Sequence, residues 1–265
     1  MLRLLWNSQS SMAAQQEKLD AISNNIANVN TNGYKKLDAN FKDLVYETLD
    51  RKGYPVSIPA AGKTLLQNGT GVRVGEWTRD STQGSVTQTS LSTDLAIDGS
   101  GYFEVTLPDN SKAYTRAGNF LADASGNIVD ESGNRLSIHD GQGNNINTVN
   151  GPYAFTANNF NVDSSGIVSI KEGNTQTAVG QIKVSNFVGD SSMISVGDNL
   201  FALKPGQEVT QSNDYSVMQG YLELSNVDIA TEMTDMLITQ RAFQLSSTTL
   251  KTADEMWQMA NNLRK

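Results

Sequence analysis

A chain of 265 residues has room for one large domain or two modest ones, and for a real core. Its 38% hydrophobic and 18% charged residues, with 22 Gly, describe a polar, turn-rich protein rather than a compact α/β enzyme core. A net charge of −8 without a basic stripe argues against a nucleic-acid partner, and the lack of Cys excludes disulfides and thiolate metal sites.

The first residues, Met1 to Asn7, hold one basic residue and a short apolar cluster, and Asn7 to Ser11 is already polar. No apolar h-region or small-residue cleavage site follows, so no cleaved signal peptide is expected. Nothing approaches the roughly 18 apolar residues of a membrane span, so no membrane insertion is expected either.

Every Gly and all five Pro lie between Gly33 and Gly220. Helix breakers are confined to the middle and both ends are free to be helical. The predicted organisation is a helix over 1–33, an extended or mixed connector over 34–65, a β-rich domain over 66–220 and a second helix over 221–265.

In the first helix Leu5, Met12, Leu19 and Ile26 recur every seven residues, and Ile22 and Val29 add a second seam position. That spacing makes a coiled-coil-like stripe, and Gly33 suits the left-handed position that ends a helix. In the connector, Phe41, Leu44 and Val45 read as a continuation of helix, while Pro55 and Pro59 argue for extended chain. The middle alternates short β-branched or aromatic runs with turns: Gly71 to Trp77, Gly101 to Leu107 and Val179 to Val184. Asp123-Ala-Ser-Gly126, Asp130-Glu-Ser-Gly133 and Asp163-Ser-Ser-Gly166 read as hairpin turns, with Asp opening and Gly left-handed. They lack the carboxylate ladder and distal Glu of a calcium loop.

The last segment repeats the stripe with Ile229, Met236, Phe243, Leu250 and Trp257, and Met233 and Leu237 widen it. Ser225 to Asp228 reads as its cap. Each stripe alone fits the inward face of an ordinary helix on a globular core. Two narrow stripes at opposite ends of one chain favour helix–helix pairing. The predicted fold class is therefore α+β, with N- and C-terminal helices pairing as a coiled coil and a β-rich domain inserted between them.

Chemistry is sparse. The one histidine, His139, sits in an alternating run before a turn and reads as a surface strand residue. No metalloprotease, P-loop or nucleophile-elbow sequence occurs, and Gly99-Ser-Gly101 lacks the third Gly of a dinucleotide motif. Carboxylate pairs that would serve a glycosidase are not excluded by sequence, but none sits in an apolar context that would raise a pKa. No cofactor, metal or catalytic residue is predicted.

Ser23-Asn-Asn-Ile-Ala-Asn-Val-Asn-Thr-Asn-Gly-Tyr-Lys35 resembles the N-terminal motif of flagellar rod and hook axial proteins, with Ser and Tyr as mild departures. The residues carrying it are Asn24, Asn25, Ala27, Asn28, Thr31 and Gly33. Gln219 to Asp228, with Ser225 and Asn226, and Met236 to Gln244, with Gln240 and Arg241, are similar to the C-terminal motif. Asp94 to Val105 and Tyr114 to Phe120 are similar to the family's central β region. The length and Leu66-Gln-Asn-Gly-Thr-Gly-Val72 look most like its distal rod branch, and the proximal branch shares the plan.

The resemblance implies a structural subunit without enzymatic activity, exported through the flagellar type III apparatus without a cleaved leader. It implies assembly in the basal body with copies of itself and with other rod and hook proteins. The heptad residues would then be the assembly interface. A phage-tail or adhesin-like protein is the alternative that also pairs terminal helices around a β body, and a carbohydrate-active enzyme is a remote third.

Overall fold

The computed structural model describes residues 2–44, 46–48, 67–148, 153–172, 175–187, 193–207, 209–211 and 215–263. Val45, Pro55, Pro59 and Leu66 lie outside the described residues. The chain is α+β, with a helix at each end and a β-rich middle. It divides into two compact units, one of residues 1–26, 37–78 and 229–265, the other of residues 27–36 and 79–228.

The first unit holds helix α1, Leu2–Ala27, and helix α2, Ile229–Asn262. α2 has 34 residues, a rod of about 51 Å at 1.5 Å per residue. Neither helix contains Gly or Pro, so nothing interrupts the hydrogen-bond ladder. Glu232 lies in the first turn of α2, where the helix dipole favours an acid. The unit also contains the paired strands Leu37–Asp43 and Val72–Arg79, and the antiparallel pair Tyr46–Thr48 and Gln67–Gly69. Phe41 is therefore in a strand, not in the helical continuation expected from sequence. Leu44 then donates its N–H to the Gly71 carbonyl at 2.9 Å, which keeps the chain extended.

In the second unit the largest sheet runs Met193–Gly197, Leu200–Leu203, Lys112–Thr115, Tyr102–Thr106, Arg135–Leu136, Ile128–Val129 and Leu121–Ala122. Val184–Asn186 branches from Tyr102–Thr106 and pairs onward with Thr210–Gln211. A second sheet runs Ile138–His139, Thr175–Ile182, Ile167–Glu172 and Phe160–Val162. Tyr215–Gln219 pairs with Leu95–Gly99, and Tyr221–Glu223 with Val86–Gln88. The strand pairings of this unit are antiparallel, as short hairpin connections require.

The larger of two buried clusters joins most of these strands. Leu95, Ile97, Phe103, Phe120, Ile128, Leu136, Ile138 and Ile182 are buried in it, each contributing about 1.5–3 kcal/mol. The Phe103 and Phe120 rings meet edge to face at 5.6 Å. The predicted Asp–Gly segments are hairpin turns. Gly126, Gly133 and Gly166 stand at φ of 80°, 83° and 77° and donate to the carbonyls of Asp123, Asp130 and Asp163. Asp140-Gly-Gln-Gly143 is a fourth turn of this kind, with Gly143 at φ 88°.

His139 is buried, not the surface residue expected from its alternating run. Its strand is flanked on one side by Gln181 and on the other by a bridge to Asn145, so neither edge faces water. Its Nε2 lies 3.7 Å from the Glu104 carboxylate, which Lys112 also pairs at 2.9 Å. Burial holds the imidazole below its usual pKa, with Glu104 opposing that shift.

Candidate functional site

The motif residues from three distant stretches converge on two nodes. The first, in the β-rich unit, is a buried charge network. Glu223 accepts from Lys35 Nζ at 2.6 Å, from Arg116 Nε at 2.6 Å and from the Gly84 N–H at 2.9 Å. Lys35 also donates to the Thr82 carbonyl at 2.7 Å. The Arg116 guanidinium reaches the carbonyls of Ile97 at 3.0 Å, Gly99 at 2.6 Å and Gly101. All three ionic side chains are at most 4% exposed. Burial keeps the Lys35 pKa below its usual value, against the pull of Glu223.

The backbone around this node is built to close. Gly33 has φ +67° and donates its N–H to the Glu223 carbonyl at 2.8 Å. A methyl group there would stand 2.5 Å from the Arg116 carbonyl carbon, so only glycine fits. Asn226 accepts from the Lys36 N–H at 2.7 Å and donates to the carbonyls of Asp80 at 2.9 Å and Thr82 at 3.1 Å. Thr31 and Asn28 form the turn before Gly33 through the Thr31 N–H and hydroxyl. Ser225 accepts the Val227 N–H at 3.3 Å, just ahead of α2.

The second node, in the helical unit, is centred on Asn25. Its amide both accepts from the Leu37 N–H and donates to the Leu37 carbonyl, at 2.9 Å each, as a neighbouring strand would. The same amide nitrogen donates to Glu232 on α2 at 3.1 Å, with both groups buried. Further along, the Ser11 and Ser246 hydroxyls meet at 3.1 Å. From Asn25 back to Ser11 is fourteen residues, and so is Glu232 forward to Ser246. α1 and α2 are thus antiparallel neighbours in heptad register.

The line of closest approach is polar and small. On α2 it follows Glu232, Thr239, Ser246 and Ala253, seven residues apart, of which Glu232, Thr239 and Ala253 are buried. On α1 Ser8, Ala14, Ala21, Ile22 and Asn25 are buried. The apolar heptads lie beside this line. Leu5, Met12, Leu19, Ile26 and Val29 are half-buried, as are Met236, Phe243 and Leu250. Ile229 and Trp257 are exposed, and so are Met233, Leu237, Ile238, Leu245 and Met259. Leu245 is 68% exposed. Among the other motif residues, Asn24, Ala27, Gln240 and Arg241 are exposed.

Hydrophobic periodicity located the apolar heptads but not the charge network. Lys35, Arg116 and Glu223 carry no periodic signal. Their only trace in the sequence is membership of three separate motif stretches.

Among the described residues no helix is long and apolar enough to cross a membrane, and no group of acids and histidines could hold a metal ion. Three family models match in chain order. Residues 5–35 match "Flagella basal body rod protein", 96–170 "Flagellar hook protein FlgE/F/G D1 domain" and 218–263 "Flagellar basal body rod FlgEFG protein C-terminal". Both motif nodes draw on the matched stretches, and the class they define is that of flagellar rod and hook subunits.

Full-length relatives narrow it. The "Flagellar basal-body rod protein FlgG" of Borreliella burgdorferi is 36% identical over the whole of both chains. That of Buchnera aphidicola subsp. Acyrthosiphon pisum is 39% identical, over 99% of this chain and all of the relative. That of Bacillus subtilis is 37% identical over the whole of both. The chain belongs to the FlgG family of flagellar basal-body rod proteins.

Proposed function

We propose that this chain is the distal-type structural subunit of the bacterial flagellar rod and that it assembles with copies of itself through its terminal helices. The observation that carries this reading is the unused apolar face of α2. Leu237, Ile238 and Leu245 are each more than 60% exposed, whereas the buried line between the helices is mostly Asn, Glu, Thr, Ser and Ala, with Ile22 its one large apolar residue. A monomer gains nothing by exposing three such side chains in a row of turns, and neighbouring subunits would bury them. On this reading the helix pair completes a coiled coil only in the assembly, where Leu5, Met12, Leu19, Ile26, Met236, Phe243, Leu250 and Trp257 pack against adjoining subunits.

The chain acts by shape and contact rather than by catalysis, in keeping with relatives named as rod proteins. Its other partners would be neighbouring rod and hook proteins and the flagellar type III export apparatus. A second reading, a different axial protein of the hook–basal body, rests on the "Flagellar hook-basal body complex protein FlhP" of Bacillus subtilis, 29% identical over both full lengths.

The test is complementation of a strain lacking its rod subunit with a Leu237→Asp, Leu245→Asp double variant. The expected result is secreted, folded protein without rods or swimming. Normal rods would remove this face from the assembly interface. Rescue of a strain lacking the distal subunit, but not one lacking another axial protein, would separate the two readings.

A further inference from the structure

The buried network contains two cations and one carboxylate. Lys35 has three N–H donors and Arg116 five. Glu223 and Thr82 take two from Lys35. Glu223 and the carbonyls of Gly101, Ile97 and Gly99 take four from Arg116. One donor on each cation has no acceptor among the described residues. Glu223, in turn, already accepts three hydrogen bonds and has no capacity to neutralise both charges. Asp80 also acts on Lys35, but it is exposed and its field is screened by water.

Beside the two cations lies a cavity of about 120 Å³. Lys35, Arg116, Ser81, Ser100 and Asn186 line its polar side, and Tyr102, Phe187 and Met193 contribute apolar wall. An uncompensated buried charge costs several kcal/mol, so a site of this composition favours a counter-ion. We propose that a small monovalent anion, chloride being its simplest form, binds in this cavity against Lys35 and Arg116 and balances the network. Two buried cations line it, and Ser81, Ser100 and Asn186 add polar groups at its mouth. Such a site makes the β-rich unit's stability depend on anion concentration, independently of polymerisation.

The experiment is thermal unfolding of the purified chain in sodium chloride against sodium gluconate at matched ionic strength. Chloride should raise Tm by roughly 3–6 °C for each tenfold increase above its dissociation constant. Asn186→Asp, which tethers a carboxylate at the cavity wall, should raise Tm in gluconate and abolish the chloride dependence. Lys35→Met should also abolish it. Should that variant fail to fold, crystals of the unaltered chain soaked in bromide supply the second readout, an anomalous peak in the cavity. Equal Tm in chloride and gluconate, an undiminished dependence in Asn186→Asp, or a cavity without bromide would each overturn the proposal.

Discussion

Asn25 on the first helix and Glu232 on the second meet through a buried hydrogen bond of 3.1 Å across 207 residues of sequence. The same amide holds Leu37 through its N–H and carbonyl. One side chain therefore fixes both the partner helix and the path of the strand that leaves the N-terminal turn. Asn25→Ala should cost about 2–4 kcal/mol, because Leu37 and Glu232 both lose a buried partner. Denaturant unfolding followed by the far-ultraviolet helix signal measures it, and a change below about 0.5 kcal/mol, the scale of a neutral surface substitution, would contradict the role.

Glu223→Gln is the severe change in the β-rich unit. It leaves Lys35 and Arg116 buried without a counter-charge, and the expected loss is about 3–5 kcal/mol. Removing both Lys35 and Glu223 as Met and Leu should be milder than Glu223→Gln alone. A double-mutant cycle in urea checks that order.

His139 gives the unit a pH dependence of definite sign. Burial lowers its folded pKa, so the unfolded chain binds a proton near pH 6.5 that the folded chain still refuses. Stability should therefore fall as pH drops from about 6.5 toward the lower folded value, and this contribution should be flat above it. Urea midpoints across pH 5–7 should slope less in His139→Gln than in the unaltered chain, and parallel slopes would show that His139 does not contribute.

Phe243→Asp tests the half-buried row beside the seam. In the helix register Ala14 stands level with Phe243, and Ala21 with Met236. The variant should fail to polymerise in sedimentation while its β-rich unit melts normally. Normal polymerisation would sink the assignment.

Sequence reached the two helices because Gly and Pro are absent from both ends, but Leu2–Ala27 and Ile229–Asn262 are shorter than the expected 1–33 and 221–265, and Tyr221–Glu223 is a strand. Turn chemistry reached three of the Asp–Gly hairpins, and β-branched runs found the strands Val72–Arg79 and Tyr102–Thr106. Apolar periodicity found only Ile22 of the buried line between the helices, because the rest is built from residues such as Asn25, Glu232, Thr239 and Ser246. Phe41 and Leu44 fitted a continuation of helix because apolar spacing over so few residues is ambiguous, and Asn25, holding Leu37, starts the strand from outside the segment. His139 looked exposed because alternation says which face a residue takes, not whether both neighbouring strands are filled.

The closing of the charge network also sets a clock. Glu223 follows Lys35 by 188 residues, so nearly the whole polypeptide must be made before the last ion pair is possible. At ribosomal rates of about 5–20 residues per second, that leaves roughly 10–40 s in which Lys35 has no Glu223 to meet. The buried charge network of the β-rich unit can therefore close only after Glu223 has been added, late in synthesis.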